Sequence, residues 1–174
     1  MVGSVRLLTR LRGLVMRRST AEHHLEDLFG THVRVRMVEA AAVARALEGQ
    51  PAAAAARAGE RVYREFLRTC LVDHRLSAEE LSDLEHLRSI LQLDEARVSL
   101  IHRGVAREVY SRSVEEVVAD GRVDEEERHF LTELRDRLEI PHPIAENILD
   151  VKARQQRARS EPADMVSRPQ DGRR

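Results

Sequence analysis

Aromatic residues make up only 3% of this chain and tryptophan is absent. Its core therefore has to be built from Leu, Val, Ile and Ala. The same scarcity leaves no basic stretch interleaved with rings, which argues against nucleic acid as a partner. Cys70 is the single cysteine, so no internal disulfide exists and nothing points to an oxidising compartment. At an apolar helical position it reads as a small buried hydrophobe. With only 5 prolines and 8 glycines, little interrupts helix formation. No apolar run approaches the roughly 20 residues of a membrane-spanning helix. The N-terminus lacks the apolar core and cleavage site of a secretory signal. The net charge of −1 excludes the broad basic surface of a general nucleic-acid binder. Long alternating runs of strand formers are missing too.

What remains is rich in Ala, Leu, Glu and Arg, the strongest helix formers. The fold class is all-α, a helical bundle. Its main internal feature is a self-match at an offset of 47 residues, the distance from Asp73 to Asp120. Val62-Tyr63 falls on Val109-Tyr110, Arg75 on Arg122, and Glu79-Glu80 on Glu126-Glu127. Leu84, Leu87, Arg88 and Leu91 fall on Leu131, Leu134, Arg135 and Leu138. This pattern reads as a tandem duplication of a helix–acidic loop–helix–helix unit.

In each copy the first helix carries one apolar stripe: Val62, Tyr63, Phe66, Leu67, Cys70 and Leu71, or Val109, Tyr110, Val114, Val117 and Val118. A polar loop follows, Asp73-His-Arg-Leu-Ser77 or Asp120-Gly-Arg-Val-Asp124. Gly121 suits a left-handed residue after a helix. His74 suits it less, which predicts a first loop of different shape. Ser77-Ala-Glu-Glu80 and Asp124-Glu-Glu-Glu127 are capping boxes that open the second helix, and carboxylates in that turn favour the helix dipole. The second helix is expected to bury Leu84, Leu87 and Leu91, or their counterparts. A third begins at Asp94, or at Pro141 and Pro143, and in the first copy runs on through Ile101, Val105 and Val109 past Gly104.

The expected organisation is a basic amphipathic helix over 1–18, upstream helices over 19–60, repeat units over 61–107 and 108–154, and a disordered tail over 155–174. Ser19-Thr-Ala-Glu22 opens a short helix ending near Gly30, and an Ala-rich helix is expected over 32–48. Arg6, Arg10, Arg12, Arg17 and Arg18 flank the apolar face of the first segment. They suit a terminal helix packed on the bundle, or contact with a partner or an anionic membrane surface.

Catalytic signatures are absent: there is no HExxH pair, no GxSxG, no glycine-rich phosphate loop. Adjacent His23 and His24 point to different sides of a helix, and the histidines read mostly as surface residues. The acidic loops invite a cation such as calcium, with Asp73, Glu79, Glu80, Asp120, Asp124, Glu126 and Glu127 as ligands. The EF-hand pattern nonetheless fails in both copies, with Arg at its third position and Leu at its twelfth. Helix capping accounts for the acids as well, so no cofactor is required.

The run Asp120-Gly-Arg-Val-Asp-Glu-Glu-Glu127 with Leu131 and Leu134, and Asp73-His-Arg-Leu-Ser-Ala-Glu-Glu80 with Leu84 and Leu87, resembles the TerB-like family named for tellurite resistance. The longer frame from Tyr63, Phe66 and Leu67 to Val109-Tyr110 is also similar to the helical repeats of the large chloroplast inner-envelope protein-import component. The likeness covers residues 60–152, and His74 departs from it where a glycine stands in the second copy. It implies an all-helical module without catalysis, used in stress-response or membrane-associated assemblies. The resulting expectation is a non-enzymatic interaction or scaffold module, cytoplasmic or peripheral to a membrane, that docks protein partners. Its rival is a divalent-metal sensor built on the acidic loops.

Overall fold

Helix-forming composition, interrupted at a few turn residues, gives the computed structural model a chain of helices with no strand among the residues it describes, 19–30 and 35–160. In order these are α1 (Thr20–Gly30), α2 (Ala40–Ala46), α3 (Ala52–Cys70), α4 (Ala78–Ile90), α5 (Glu95–Val117), α6 (Glu125–Arg137) and α7 (His142–Ser160). Single 3₁₀ turns stand at Val35–Met37, Leu71–Asp73 and Val118–Asp120. The chain divides into two compact units, with the division between Val109 and Tyr110, inside α5. Two sequence-drawn boundaries, at 60 and 107, thus fall within helices.

In the first unit, α1 opens as expected. Ser19 Oγ accepts from the Glu22 amide at 3.3 Å, and Glu22 returns the bond to the Ser19 amide at 3.1 Å. The helix expected over 32–48 is cut short. Residues 32–34 lie outside the described residues, 35–37 form a 3₁₀ turn, and α2 begins only after Glu39, whose backbone is extended. Val35 and Val38 stiffen that stretch against a helix and are buried instead. Two histidines fasten the stretch. His86 Nε2 lies 2.9 Å from the Val38 carbonyl, and His24 Nδ1 lies 2.9 Å from the Ala46 carbonyl at the end of α2. Neither histidine is the surface residue the sequence suggested.

Helix α3 follows directly on Pro51, its N-cap residue, which brings no amide of its own to leave unpaired. It absorbs the Ala-rich segment and the first repeat stripe into one rod. Tyr63, Phe66, Leu67 and Cys70 are buried on it. Leu84, Leu87 and Ile90 of α4 and Ile101 and Val105 of α5 are buried in the same unit. Leu91, expected in the core, is half-buried. It lies against Gly59, where a Cβ would stand 3.6 Å from the leucine side chain.

Helix α5 is continuous through Gly104, as the sequence implies. Its buried positions, however, change side. Ile101 and Val105 are covered in the first part, and Tyr110, Ser113 and Val114 in the second. At about 100° per residue the stripe moves roughly two-fifths of a turn. In the second unit, Val118, Leu131, Leu134, Ile140 and Ala145 complete the buried set, while Leu138 is half-buried. Helix α7 runs to Ser160, so residues 155–160 are helical rather than part of a disordered tail. Residues 161–174, like 1–18, lie outside the described residues.

The elements recur at the offset seen in the sequence. Helix α4 begins 47 residues before α6, and α5 47 residues before α7, as the starts at Ala78, Glu125, Glu95 and His142 show. The correspondence extends to the backbone. His74 has φ 62° and Gly121 φ 83°; Gln92 has φ 54° and Glu139 φ 52°. The first loop therefore has the shape of the second, against expectation. The His74 amide bonds the Leu71 carbonyl just as Gly121 bonds Val118, which holds the histidine in the left-handed region despite its Cβ.

Between α3 and α5, Tyr63 Oη and His102 Nε2 lie 2.9 Å apart. Burial pushes the phenol up to about 12, with Arg88 opposing and Cys70 and Glu95 adding. Burial also holds His102 below the usual imidazole range, against the pull of Glu95. Both groups stay neutral near pH 7, so the phenol can donate to the ring nitrogen. Cys70, at 4% exposure, has its thiol pushed up to about 12, by burial first and then by Glu80 and Asp83.

A Cβ at Gly121 meets nothing within 4 Å, so Gly121→Ala costs only the left-handed backbone, about 1 kcal/mol. His74→Gly should stabilise by a similar amount, and thermal melts should move in opposite directions for the two variants. For His102 the folded pKa is the lower one, so the unfolded chain binds the proton first. Its stabilising contribution is present above pH 6.5 and lost as pH falls through the folded value. Chemical denaturation at pH 7.5 and 5 should show a drop for wild type that is smaller in His102→Gln; an equal drop would refute the assignment.

Candidate interaction surface and the acidic loops

Each acidic loop is built by backbone amides that need acceptors. Asp73 Oδ1 accepts from the Arg75 amide at 3.2 Å, and Asp120 Oδ1 from the Arg122 amide at 2.9 Å. Four residues beyond each aspartate the reciprocal box closes. Ser77 Oγ accepts from the Glu80 amide at 3.2 Å, while Glu80 Oε2 accepts from the Ser77 amide and hydroxyl, both at 2.8 Å. Asp124 accepts from Glu127 at 2.8 Å and Glu127 from Asp124 at 2.9 Å. Five of the seven acids considered as cation ligands are thus engaged with their own backbone. Glu79 and Glu126, the other two, are exposed in the first turns. Glu79 adds to the negative field on Arg36, which Asp83 grips directly.

Among the described residues, no three His, Cys, Asp or Glu side chains are grouped so as to hold a metal ion. Arg6, Arg10, Arg12, Arg17 and Arg18, expected as membrane or partner contacts, lie outside the described residues.

The surface is laced with cross-helix ion pairs, and one set changes polarity between the units. In the first unit Arg68 of α3 binds Glu108 of α5. In the second unit the position matching Arg68 is Glu115, which binds Lys152 at 3.2 Å and Arg159 at 3.7 Å on α7. Gln156 of α7 also donates to the Ala119 carbonyl at 2.7 Å. The basic end of α7 is thereby tied to the end of α5. Periodicity could not show this, because these residues lie outside the apolar stripe.

Apolar side chains also reach solvent. Val72, Leu81 and Leu100 in the first unit are 59%, 48% and 54% exposed. Singly exposed leucines are ordinary, but the three stand on separate elements of a small unit. Leu100 continues the Leu/Ile run of α5, and only burial distinguishes it from Ile101.

If the loop acids are caps, Ser77→Ala and Asp124→Ala should each cost about 1 kcal/mol. The loss should be the same in EDTA and in millimolar calcium, magnesium or zinc. A ligand bound to the folded state would raise the melting midpoint by mass action. A rise in wild type that Asp120→Asn or Asp124→Asn removes would contradict the capping account.

No curated protein and no solved structure matches the chain. A family model does match, that of Tic110, described as chloroplast envelope transporter, over residues 41–158. The matched stretch runs from α2 almost to the end of α7. It takes in both capped turns and covers more than half of the sequence, and it agrees with the likeness to the import component's helical repeats. The chain belongs to the chloroplast envelope transporter family.

Proposed function

We propose that this chain is a non-catalytic helical scaffold that docks protein partners at an envelope membrane as a peripheral component. The observation that carries this reading is the family match across residues 41–158, which takes in the helices of both units rather than one isolated motif. Three features of the molecule support it. The acids that could have served chemistry are used as caps and in ion pairs. The exposed faces combine charge with single apolar side chains, as docking surfaces do. No described helix is long and apolar enough to cross a membrane, and the arginines of residues 1–18 offer a route to an anionic bilayer surface. The stress-response association implied by the tellurite-resistance likeness is a finer version of the same reading and rests on the capped loops alone.

The test is site-specific photo-crosslinking in the cell that makes the protein, with the reactive side chain placed singly at Val72, Leu81 and Leu100 of the full chain. Discrete protein adducts from at least one position are expected, together with recovery in the membrane fraction that carbonate washing releases. No adduct from any position, or turnover by the purified chain that is lost on mutating a named acid, would overturn the proposal.

A further inference from the structure

The first part of α5 carries an outer face that no other described element covers. Ala96, Leu100, Arg103, Gly104 and Arg107 are all exposed, and at about 100° per residue they fall within an arc of roughly 100°. Leu100 stands in the middle of it, 54% exposed. Beside it Gly104 leaves open space, since a Cβ there would meet nothing within 4 Å. Arg103 and Arg107, one turn apart, have no acidic partner among the described residues, whereas their neighbour Arg97 is held by Glu60 at 2.9 Å. No acid lies in the arc, and adjacent Glu108 is committed to Arg68. Among the described residues the face therefore offers two unpaired guanidinium groups, one apolar anchor and, at Gly104, one position without a side chain.

Resting on the scaffold reading above, we infer that this face docks an acidic amphipathic helix of a protein partner. Carboxylates at i and i+4 of such a helix are about 6 Å apart along its axis, the same spacing as Arg103 and Arg107. The planar guanidinium fork favours two-point pairing with a carboxylate. An apolar side chain between the acids rests on Leu100 and enters the space above Gly104. A lipid surface fits less well, because lipid-binding clusters gather roughly four to eight basic residues and this face has two. Single-stranded nucleic acid fits poorly as well, since the face has no ring for a base to stack on.

The experiment uses the full chain and two labelled, end-capped 18-residue alanine-rich helical peptides, followed by fluorescence anisotropy. One peptide carries Glu at two i, i+4 positions around a Leu; the other is identical with Lys in place of Glu. The acidic peptide is expected to bind at least about tenfold more tightly, with the difference shrinking in high salt. The double variant Arg103→Glu/Arg107→Glu should reverse the preference, and Leu100→Ser should weaken the acidic peptide severalfold, both with unchanged helicity by circular dichroism. Equal binding of the two peptides, no binding of the acidic one, a preference unmoved by the double variant, or binding to phosphatidylserine vesicles in place of the peptide would overturn the inference. Crosslinks in the cell from Val72 or Leu81 but none from Leu100 would sink this surface while leaving the scaffold reading intact. No crosslinks from any of the three would sink both.

Discussion

Everything in this molecule depends on reversing the chain between two helices without leaving backbone amides unpaired. Each α-helix begins with amides that its own carbonyls cannot reach, and at α4 and α6 the polypeptide answers with a side chain on one side and its own backbone on the other. Ser77 with Glu80, and Asp124 with Glu127, satisfy two amides in each turn. The left-handed residue just upstream, His74 or Gly121, sets the direction from which the helix is entered. With both turns fixed, Leu84 and Leu87, or Leu131 and Leu134, can only point inward. The aspartates at 73 and 120 finish the loop by accepting from the amide two residues on. Acidity in these loops is therefore first a matter of backbone chemistry.

The parts legible in the sequence are those governed by local rules. Caps at Ser19, Ser77, Asp94 and Asp124 stand where the residue types place them; Asp94, for example, accepts from the Arg97 amide at 2.7 Å. The recurrence of elements at 47 residues follows the recurrence of side chains. What was hidden is set by tertiary contact. His24, His86 and His102 look like ordinary polar residues in a list, and only the approach of Ala46, Val38 and Tyr63 gives them partners. The left-handed His74 ran against its intrinsic preference because the loop, bonded at both ends, overrode it. Leu91 and Leu138 lost their expected burial by standing at helix ends, where Ile90 in the first unit takes the inward position. The candidate surface on α5 was least visible of all. Leu100 and Ile101 are neighbours of similar hydrophobicity, and no periodicity decides between them when the buried stripe of the helix shifts sides.

Ion pairs add specificity to this frame more than strength. Exposed pairs of this kind are each worth little, yet their polarity is reversed at matching positions, Arg68 in one unit and Glu115 in the other. A basic segment that pairs with Glu115 would meet Arg68 at the matching place in the first unit, which disfavours that exchange. The chain belongs to the chloroplast envelope transporter family across residues 41–158, and its charged side chains stand over an aliphatic core.

The buried Cys70 has a practical meaning of its own. A thiol pushed up to about 12 and 4% exposed presents almost no thiolate, the form that alkylating reagents attack. Reaction must wait until the end of α3 comes away from α4. Because no other cysteine exists in the sequence, the labelling rate of the whole protein reports that one opening. This sulfur is a built-in clock for how often the first unit breathes.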